Sequence, residues 1–451
     1  MDNNRGQWRN QLGFIIVAAG AAIGLGNIWK FPYMAGSNGG SAFVLVYLLC
    51  VILIGIPVMA GEIIVGRRAK KNPVDAIKDN AREAGKNTTW SVMGWWGFFG
   101  LLLTLSFYCV VSGWAIYYFF ITLSGDLQSF NAKEIGSVWG HFMNDPKTML
   151  IYSAIFVALT MGVVALGVQR GLEGFSRVLL PLLFLILFML VFYAAFTTGH
   201  FKQAFHFLFD PDFSKITSTV VINAMGHAFF TLAIGVGAMS IYGSYMGNSL
   251  KLGSSILIIV CLDVLVALLS GLAVFPILFA HDLSPAAGPG LMFLTLPIAF
   301  AQMPEGAYIG AGFFALIIFA AWTSSINIAE PIVGIIHEKT KLSRKQSCFF
   351  IGIVVWLLGM LSVFSFNVWS DVKLFGHFTP FAAITDGVTN IILPIGGIFY
   401  AIFAGWVMLP KATKETFALR SNALYQIWRF LVRYVAPLGI LIIFIAAVVP
   451  H

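Results

Sequence analysis

The fold is decided by two short stretches, Ala22-Ile23-Gly24-Leu25-Gly26 and its near copy Ala233-Ile234-Gly235-Val236-Gly237, which lie 211 residues apart. Each falls in the middle of a long apolar run. Glycine is common in membrane helices, where it serves close packing, so one stretch alone is weak evidence. A matched pair at corresponding positions of two halves predicts an inverted repeat whose first and sixth helices are broken in mid-membrane. Unwinding there would free carbonyl groups to bind a cation and helix N-termini to bind an anion.

The composition excludes a soluble protein. Hydrophobic residues make up 59% of the 451 residues and charged residues only 10%, which leaves too little polar surface for a soluble domain. The sequence therefore predicts an all-α polytopic membrane protein, in which apolar side chains face lipid. Eleven apolar runs are long enough to cross about 30 Å of hydrocarbon. They cover residues 12–35, 41–66, 91–123, 148–167, 172–197, 219–246, 254–280, 308–336, 346–366, 378–409 and 430–450.

The distribution of basic residues predicts the orientation. With the N-terminus in the cytoplasm, 21 of the 27 lysines and arginines fall on the cytoplasmic side, five fall in outer loops and Lys30 lies in the first span. The positive-inside rule favours this orientation and places the C-terminus outside. The net charge of +8 is thus a topology signal and a contact for anionic membrane lipid. We expect no nucleic-acid partner.

Five regions follow from this pattern. Residues 1–11 form a cytoplasmic segment with gate residues, residues 12–197 the first five-helix repeat, and residues 198–218 an extracellular loop. Residues 219–409 form the second five-helix repeat, and residues 410–451 a cytoplasmic linker and an eleventh helix. We expect a multi-pass protein of the plasma membrane, which in a bacterium is the inner membrane.

Five motifs are distributed along the chain. They are Gly24-Leu25-Gly26-Asn27-Ile28-Trp29-Lys30-Phe31-Pro32-Tyr33, Asn38-Gly39-Gly40, His227-Ala228-Phe229-Phe230-Thr231-Leu232, Trp322-Thr323-Ser324-Ser325 and Lys341-Leu342-Ser343-Arg344-Lys345. Together they resemble the neurotransmitter:sodium symporter family. The resemblance covers nearly the whole chain and is strongest to bacterial hydrophobic amino-acid transporters with eleven transmembrane helices. It implies a secondary active transporter that imports neutral hydrophobic amino acids, branched-chain or aromatic, with sodium by alternating access.

The resemblance implies two sodium sites made of hard oxygen ligands, which small alkali cations prefer. Asp263, a ligand of the first site, stands where the family has an asparagine. Without the resemblance, there is an alternative in which the hydroxyl groups of residues 323–325 only form hydrogen bonds between helices. The first site would take Ala22, Asn27, Thr231 and Asp263, and the second Gly20, Ile23, Ala320, Thr323 and Ser324.

Asp263 and Ala267 predict transport that does not depend on chloride. Chloride-dependent relatives bind the anion with a serine hydroxyl of the seventh span, and the matching residue here is Ala267. The carboxylate of Asp263 would supply a permanent negative charge instead. An intramembrane carboxylate is costly enough to be a functional candidate by default.

The resemblance also implies a substrate site between the two breaks. The amide groups of Leu25 and Gly26 and the hydroxyl group of Tyr108 would bind a carboxylate, for which Gly24 leaves space where monoamine carriers have an aspartate. The rest of the wall has no charged group, which favours a neutral, apolar substrate. Val236 is smaller than the aromatic residue often found there and leaves room for a large side chain. This wall comprises Ala22, Thr104, Phe230, Thr231, Ala233, Val236, Ser324, Ser325 and Ile328.

The cytoplasmic gate is matched by the family pattern. Arg5 and Glu338 resemble its salt bridge, closed over by Trp8, Ser244 and Tyr245.

The outer gate is matched only in part. Lys30 stands where arginine is common, and its expected acidic partner in the tenth span is missing, since Phe375 falls near that position. Two alternatives stay open, that Lys30 pairs with another acid or with none. Phe230 and Tyr108 are expected to form an aromatic lid.

Two further features concern the helix breaks. Gly171 and Pro181 of the fifth span resemble a segment that unwinds on the cytoplasmic side, and proline and glycine both weaken a helix. We expect this hinge to loosen and to hydrate the second sodium during release. Glu62 is interpreted as a buried support for the unwound first helix, with a proton carrier as the alternative.

The alternatives to a transporter are a channel, an enzyme and a receptor. A channel needs a continuous polar pore, which the scarce intramembrane charge does not supply. An enzyme needs a cluster of histidines or carboxylates at catalytic spacing, which the spans lack. A receptor that binds its ligand without transporting it remains an alternative. No obligate protein partner is expected.

Overall fold

The computed structural model describes residues 7–247, 249–286, 288–374, 376, 378–419 and 421–448, and most of them are helical. No β-strand occurs within these ranges, where Leu374 and Phe378 form an isolated bridge. The predicted gate residue Arg5 lies outside the described residues, as does Phe375.

Eight helices in the described ranges are long and apolar enough to cross a membrane, and a bent pair makes a possible ninth span. The bent pair is the first span, in which Gln11–Ala22 and Gly26–Ser37 meet at 46°. The second to fifth spans are Ser41–Ala69, Thr88–Leu123, Pro146–Ala165 and Val168–Thr197; the seventh to tenth are Leu252–Ala280, Gly306–Lys339, Arg344–Phe364 and Pro380–Val407.

The two remaining apolar runs are helical in shorter pieces. The sixth run consists of Ser218–Thr231 and Ala238–Ser244, so neither piece alone is long enough to cross. The eleventh run is built from Asn422–Phe430, Leu431–Val435 and Ala436–Val448. Between the spans lie Pro73–Glu83, Asp126–Ser129, Ala132–Asn144, Phe201–Phe209, Phe213–Lys215, Gly288–Leu291, Thr295–Ala301 and Pro410–Phe417.

Close helix contacts position the second half of the sixth span. A Cβ atom on Gly66 of the second span would overlap the backbone carbonyl of Ser240, and one on Gly243 would overlap that of Ile63. The two helices therefore touch backbone to backbone, as small residues allow in membranes. This contact holds the half-helix Ala238–Ser244 against an unbroken neighbour.

The outer surface of the bundle is apolar. Phe196 is 83% exposed and Phe349 72% exposed, whereas the polar residues Asn27, Glu62 and Asp263 have no exposed surface. This inside-out distribution suits a protein surrounded by lipid, in which polar groups gather at the centre.

Candidate functional site

Both helix breaks occur at the predicted stretches. The first helix ends at Ala22, Ile23 has an extended backbone, and a wide helical turn covers Gly26–Lys30. In the sixth span Gly235 and Gly237 have φ angles of +93° and +78°. Glycine adopts such angles without strain, which explains why the helix is interrupted there.

Glu62 supports the second of these breaks. Its carboxylate accepts a hydrogen bond from the N–H group of Gly235 and faces the N–H groups of Gly237 and Met239. These amides lie at the start of the half-helix Ala238–Ser244, whose dipole favours a negative charge. The prediction that Glu62 supports the first helix is therefore wrong, because its partners belong to the sixth span.

A small cavity of about 30 Å³ lies between the two breaks and the third, eighth and tenth spans. No side chain in its lining carries a charge. The lining consists of Ala21, Ala22, Gly24, Gly26, Leu101, Thr104, Tyr108, Phe230, Ala233, Val236, Ser324, Ile328 and Leu393.

Nine of the predicted substrate contacts therefore lie in one lining. Three do not: Leu25 lies behind it, Thr231 turns its hydroxyl group to Asp263, and Ser325 bonds to Thr160 at 2.9 Å. The nine are Ala22, Gly26, Thr104, Tyr108, Phe230, Ala233, Val236, Ser324 and Ile328.

The polar groups of the cavity gather at the first break. The hydroxyl group of Tyr108 accepts a hydrogen bond of 2.9 Å from the N–H group of Leu25, and Ser324 donates to the carbonyl oxygen of Ala21 at 3.1 Å. A Cβ atom on Gly24 would lie 2.5 Å from the Tyr108 oxygen and 2.8 Å from the Ser324 Cβ. Only glycine fits at position 24 without displacing these groups.

The predicted ligands of the first sodium site meet around Asp263. Its carboxylate accepts hydrogen bonds from Asn27 at 2.7 Å, Thr231 at 2.9 Å and Tyr47 at 3.3 Å. Asp263 is fully buried and these three partners are uncharged. A carboxylate in such surroundings favours the binding of a cation. Ala22 lies in the adjoining cavity wall.

The predicted second sodium site lies where the first span passes the eighth. Thr323 donates to the carbonyl oxygens of Phe319 and Ala320, each at 3.0 Å, and a Cβ atom on Gly20 would lie 3.5 Å from the Thr323 Cβ. In a regular helix the Gly20 carbonyl would bond to the N–H group of Gly24. That N–H group instead donates to the Asn27 side chain at 3.0 Å. The break thus deprives the Gly20 carbonyl of its regular partner, while Ile23 follows directly on the helix end.

The described residues of the predicted cytoplasmic gate lie near the end of the sixth span. Trp8 is buried, donates its ring N–H to the Tyr242 carbonyl at 3.0 Å, and packs on Tyr245 with ring centroids 5.6 Å apart. Ser244 bonds to the carbonyl of its own helix. Glu338 accepts a hydrogen bond of 2.7 Å from Asn72.

The outer side contains an acidic residue that the sequence interpretation missed. Asp386 lies in the tenth span and interacts electrostatically with Lys30, whose ammonium group lies 4.6 Å from the centre of the Phe230 ring. The prediction that this span lacks an acidic partner is therefore wrong. The acid was sought near Phe375, whereas Asp386 lies eleven residues further along the chain, at the end of the helix Pro380–Asp386.

The fifth span is irregular at its predicted hinge. Val168–Glu173 forms a wide helical turn that contains Gly171, and Pro181 lies inside the following helix Gly174–Thr197. Such wide turns are common at functional sites.

The comparison with known families decides the class of protein. A family profile described as "Sodium:neurotransmitter symporter family" matches residues 5–139 and 141–451. This chain belongs to the sodium:neurotransmitter symporter family. The prediction of a sodium-coupled transporter, and not an enzyme, is thereby confirmed.

Relatives of this symporter span its full length. An "Uncharacterized sodium-dependent transporter YhdH" of Bacillus subtilis is 38% identical over 445 residues and covers 97% of each chain. An "Uncharacterized sodium-dependent transporter" of Haemophilus influenzae is 33% identical and covers 99% of this chain and 98% of its own. A crystal structure of MhsT in complex with L-phenylalanine matches with a TM-score of 0.91 and 37% identity, over 98% of this chain and all of that one. The all-α polytopic fold is thereby confirmed.

The structure also brings two polar residues that the motifs did not indicate to the predicted second sodium site of this symporter. A Cβ atom on Gly20 would lie 3.6 Å from the Ser176 hydroxyl oxygen and 3.6 Å from the Asn327 amide nitrogen. The Ser176 oxygen is buried without a protein hydrogen-bond partner, as is the amide oxygen of Asn327. No motif marks these residues, because their proximity arises only when the fifth and eighth spans pack on the first.

Proposed function

We propose that this symporter imports neutral, hydrophobic amino acids, branched-chain or aromatic, together with sodium by alternating access. The observation that carries the proposal is the uncharged cavity, whose polar groups are gathered at one end by Tyr108 and the first break. A zwitterion can place its carboxylate there, while a charged side chain in the rest of the cavity would lose its hydration. The match to MhsT in complex with L-phenylalanine supports this substrate class.

Two sodium ions would drive the cycle. The first would bind at Asp263, Asn27, Thr231 and the Ala22 carbonyl, beside the substrate carboxylate. The buried carboxylate with uncharged partners supports this assignment. The second would bind at the carbonyls of Gly20, Ile23 and Ala320 and the hydroxyls of Thr323 and Ser324.

Chloride would not be required. Ala267 lies one helical turn after Asp263 and offers no hydroxyl group for an anion, while Asp263 itself carries the negative charge. Uptake is expected to be unchanged when chloride is replaced by gluconate at constant sodium. A reproducible loss of uptake would refute chloride independence.

The transport cycle would use the gates and the hinge. We place the protein in the plasma membrane, the inner membrane of a bacterium, with the N-terminus in the cytoplasm and the C-terminus outside. Trp8, Tyr245 and Glu338 would then close the cytoplasmic path, and the hinge around Gly171 would open it. Membrane lipid is the expected surrounding partner.

The proposed substrate is tested by uptake into proteoliposomes with an inward sodium gradient, using radiolabelled leucine and each proteinogenic amino acid as competitor. We expect competition by leucine, phenylalanine and tryptophan and none by lysine or glutamate. Replacing sodium by choline should abolish uptake. Preference for a charged amino acid would overturn the cavity assignment, and sodium-dependent binding without flux would identify a receptor.

A matched pair of variants tests the carboxylate clamp. Tyr108→Phe removes the hydroxyl group that meets Leu25, whereas Tyr152→Phe alters a tyrosine of the fourth span outside the cavity. The first change should weaken leucine binding at least about tenfold, as expected for a lost hydrogen bond to a charged group. Equal affinities in the two variants would contradict the clamp.

A further inference from the structure

The apolar end of the cavity lies opposite its polar end. Tyr108 and Leu101 both line the cavity from the third span and are seven residues apart, which corresponds to about 10 Å along a helix. At the level of Leu101 the other spans contribute Val236 and Leu393. A substrate whose carboxylate lies at Tyr108 therefore points its side chain towards these aliphatic groups.

Leu393 is the tenth-span residue of this lining, and two contacts hold its backbone. Trp96 of the third span donates its ring N–H to the carbonyl oxygen of Ile392 at 3.1 Å. A Cβ atom on Gly235 would overlap the carbonyl oxygen of Leu393 itself, so the sixth-span break rests directly on this backbone. A wide helical turn, Gly387–Ile392, ends immediately before Leu393 and sets its direction.

The neighbours of Leu393 leave little room for it to move. A Cβ atom on Gly100 would lie 2.6 Å from a methyl carbon of Ile392 and 2.9 Å from one of Val236. The third span can approach the sixth and tenth spans this closely because position 100 is a glycine. Leu393 is 4% exposed in this packing. Leu393 therefore lies in a closely packed part of the lining, where a change in the size of its side chain changes the space for a substrate.

We propose that Leu393 determines the substrate specificity of this symporter by limiting the length of the amino-acid side chain that fits. The inference rests on the proposed function, since it takes the cavity to be the substrate site. A smaller residue at position 393 lengthens the apolar end and favours tryptophan. A larger residue fills that end and favours valine. One methylene group more or less in an apolar pocket changes discrimination by roughly 10-fold to 200-fold.

The test measures competition by valine and by tryptophan against radiolabelled leucine, in purified Leu393→Ala and Leu393→Phe variants. Ile391→Ala is the matched control, because Ile391 is 43% exposed on the outer face of the same span. We expect the ratio of valine to tryptophan inhibition constants to rise at least tenfold in Leu393→Ala and to fall at least tenfold in Leu393→Phe. The Ile391→Ala ratio should stay within twofold of the wild-type ratio.

The failure of this inference and the failure of the proposed function give different results. If the wild-type protein binds leucine with sodium but neither variant changes the valine-to-tryptophan ratio, the inference about Leu393 is overturned while the proposed function stands. If the wild-type protein binds no amino acid, the proposed function fails and the inference with it. Should Leu393→Ala be unstable, Leu393→Val makes the same comparison with a smaller loss of volume, and a flat ratio there also overturns the inference.

Discussion

At the scale of single residues, the site depends on positions where only a glycine fits. Gly24 illustrates this point, since a methyl group at that position would meet Tyr108 and Ser324 within 3 Å. The resemblance indicated that Gly24 leaves space for a substrate carboxylate, but the two side chains that exclude a larger residue there became evident only from the structure.

Gly24→Ala is therefore expected to lose leucine binding by at least about tenfold, because either Tyr108 or Ser324 must move away from the carboxylate position. Gly312→Ala is the control, since no atom lies within 4 Å of a Cβ atom at that position of the eighth span. Equilibrium binding of radiolabelled leucine measures both variants. Unchanged affinity in Gly24→Ala would contradict the assigned substrate position.

Asp263 is proposed to provide the charge of the first sodium site. Asp263→Asn keeps a similar shape and removes the charge, so the sodium concentration for half-maximal leucine binding should rise at least about tenfold. Asp282→Asn, two residues beyond the end of the same helix, is the control and should leave that concentration unchanged. A sodium dependence of Asp263→Asn equal to the wild-type dependence would exclude Asp263 as a ligand.

At the scale of helices, the breaks are held by neighbouring elements. Gly396 of the tenth span faces the backbone of Gly235, and an ideal Cβ atom would overlap its carbonyl group. Sequence inspection predicted where the sixth helix breaks, because glycine spacing is a local signal. It did not predict the tenth-span contacts, because these join residues about 160 positions apart.

Gly396→Ala should destabilise the protein, because overpacking a tight contact costs about 1–3 kcal/mol and this contact is with backbone that cannot rotate away. Gly387→Ala in the same span is the control, since a Cβ atom there meets nothing within 4 Å. Thermal unfolding in detergent should place the midpoint of Gly396→Ala several degrees below that of Gly387→Ala. Equal midpoints would argue against the close approach of the two spans.

Hydrogen bonds join the N-terminal segment to the fifth-span hinge, and a buried carboxylate takes part in them. Glu173, the last residue of the wide turn, accepts hydrogen bonds from the Arg9 backbone N–H at 3.3 Å and from the Arg177 guanidinium group at 2.6 Å. Gln169 of the same turn donates to the Gln7 carbonyl at 2.9 Å. Release of the segment and loosening of the hinge are therefore expected to occur together.

Glu173→Gln weakens both contacts of that carboxylate and should increase amide hydrogen exchange in residues 7–22 and 168–173 together. Glu83→Gln removes an acid paired with Arg68 at the periphery and serves as the control. Exchange followed by mass spectrometry measures each segment separately. An increase in one segment alone would contradict the coupling of the N-terminal segment to the hinge.

At the scale of the whole molecule, the sequence predicted the transmembrane spans better than the contacts between them. Hydropathy and the paired glycine stretches predicted the spans and both interrupted helices, because a bilayer imposes length and composition on every crossing. The partner of Glu62 was misplaced and the acid near Lys30 was missed, since both are set by the packing of spans that lie far apart in sequence. Leu393 has no distinctive neighbour in the sequence and became visible only as part of a cavity.

The proposed site is formed by several spans together and not by any single span. The proposed sodium ligands, the proposed substrate clamp and the apolar cavity come from the first, third, sixth, seventh, eighth and tenth spans and meet at the two breaks. Ions that bind there must change the relative stability of outward-facing and inward-facing states if they are to drive transport.

The most direct test of the central claim is an experimental structure of the full chain determined with sodium and L-leucine. The account predicts helices interrupted at Gly24 and Gly235, a ligand carboxylate beside the Leu25 amide and the Tyr108 hydroxyl, and a cation between Asn27, Thr231 and Asp263. Continuous first and sixth helices, or a ligand bound outside this cavity, would contradict it.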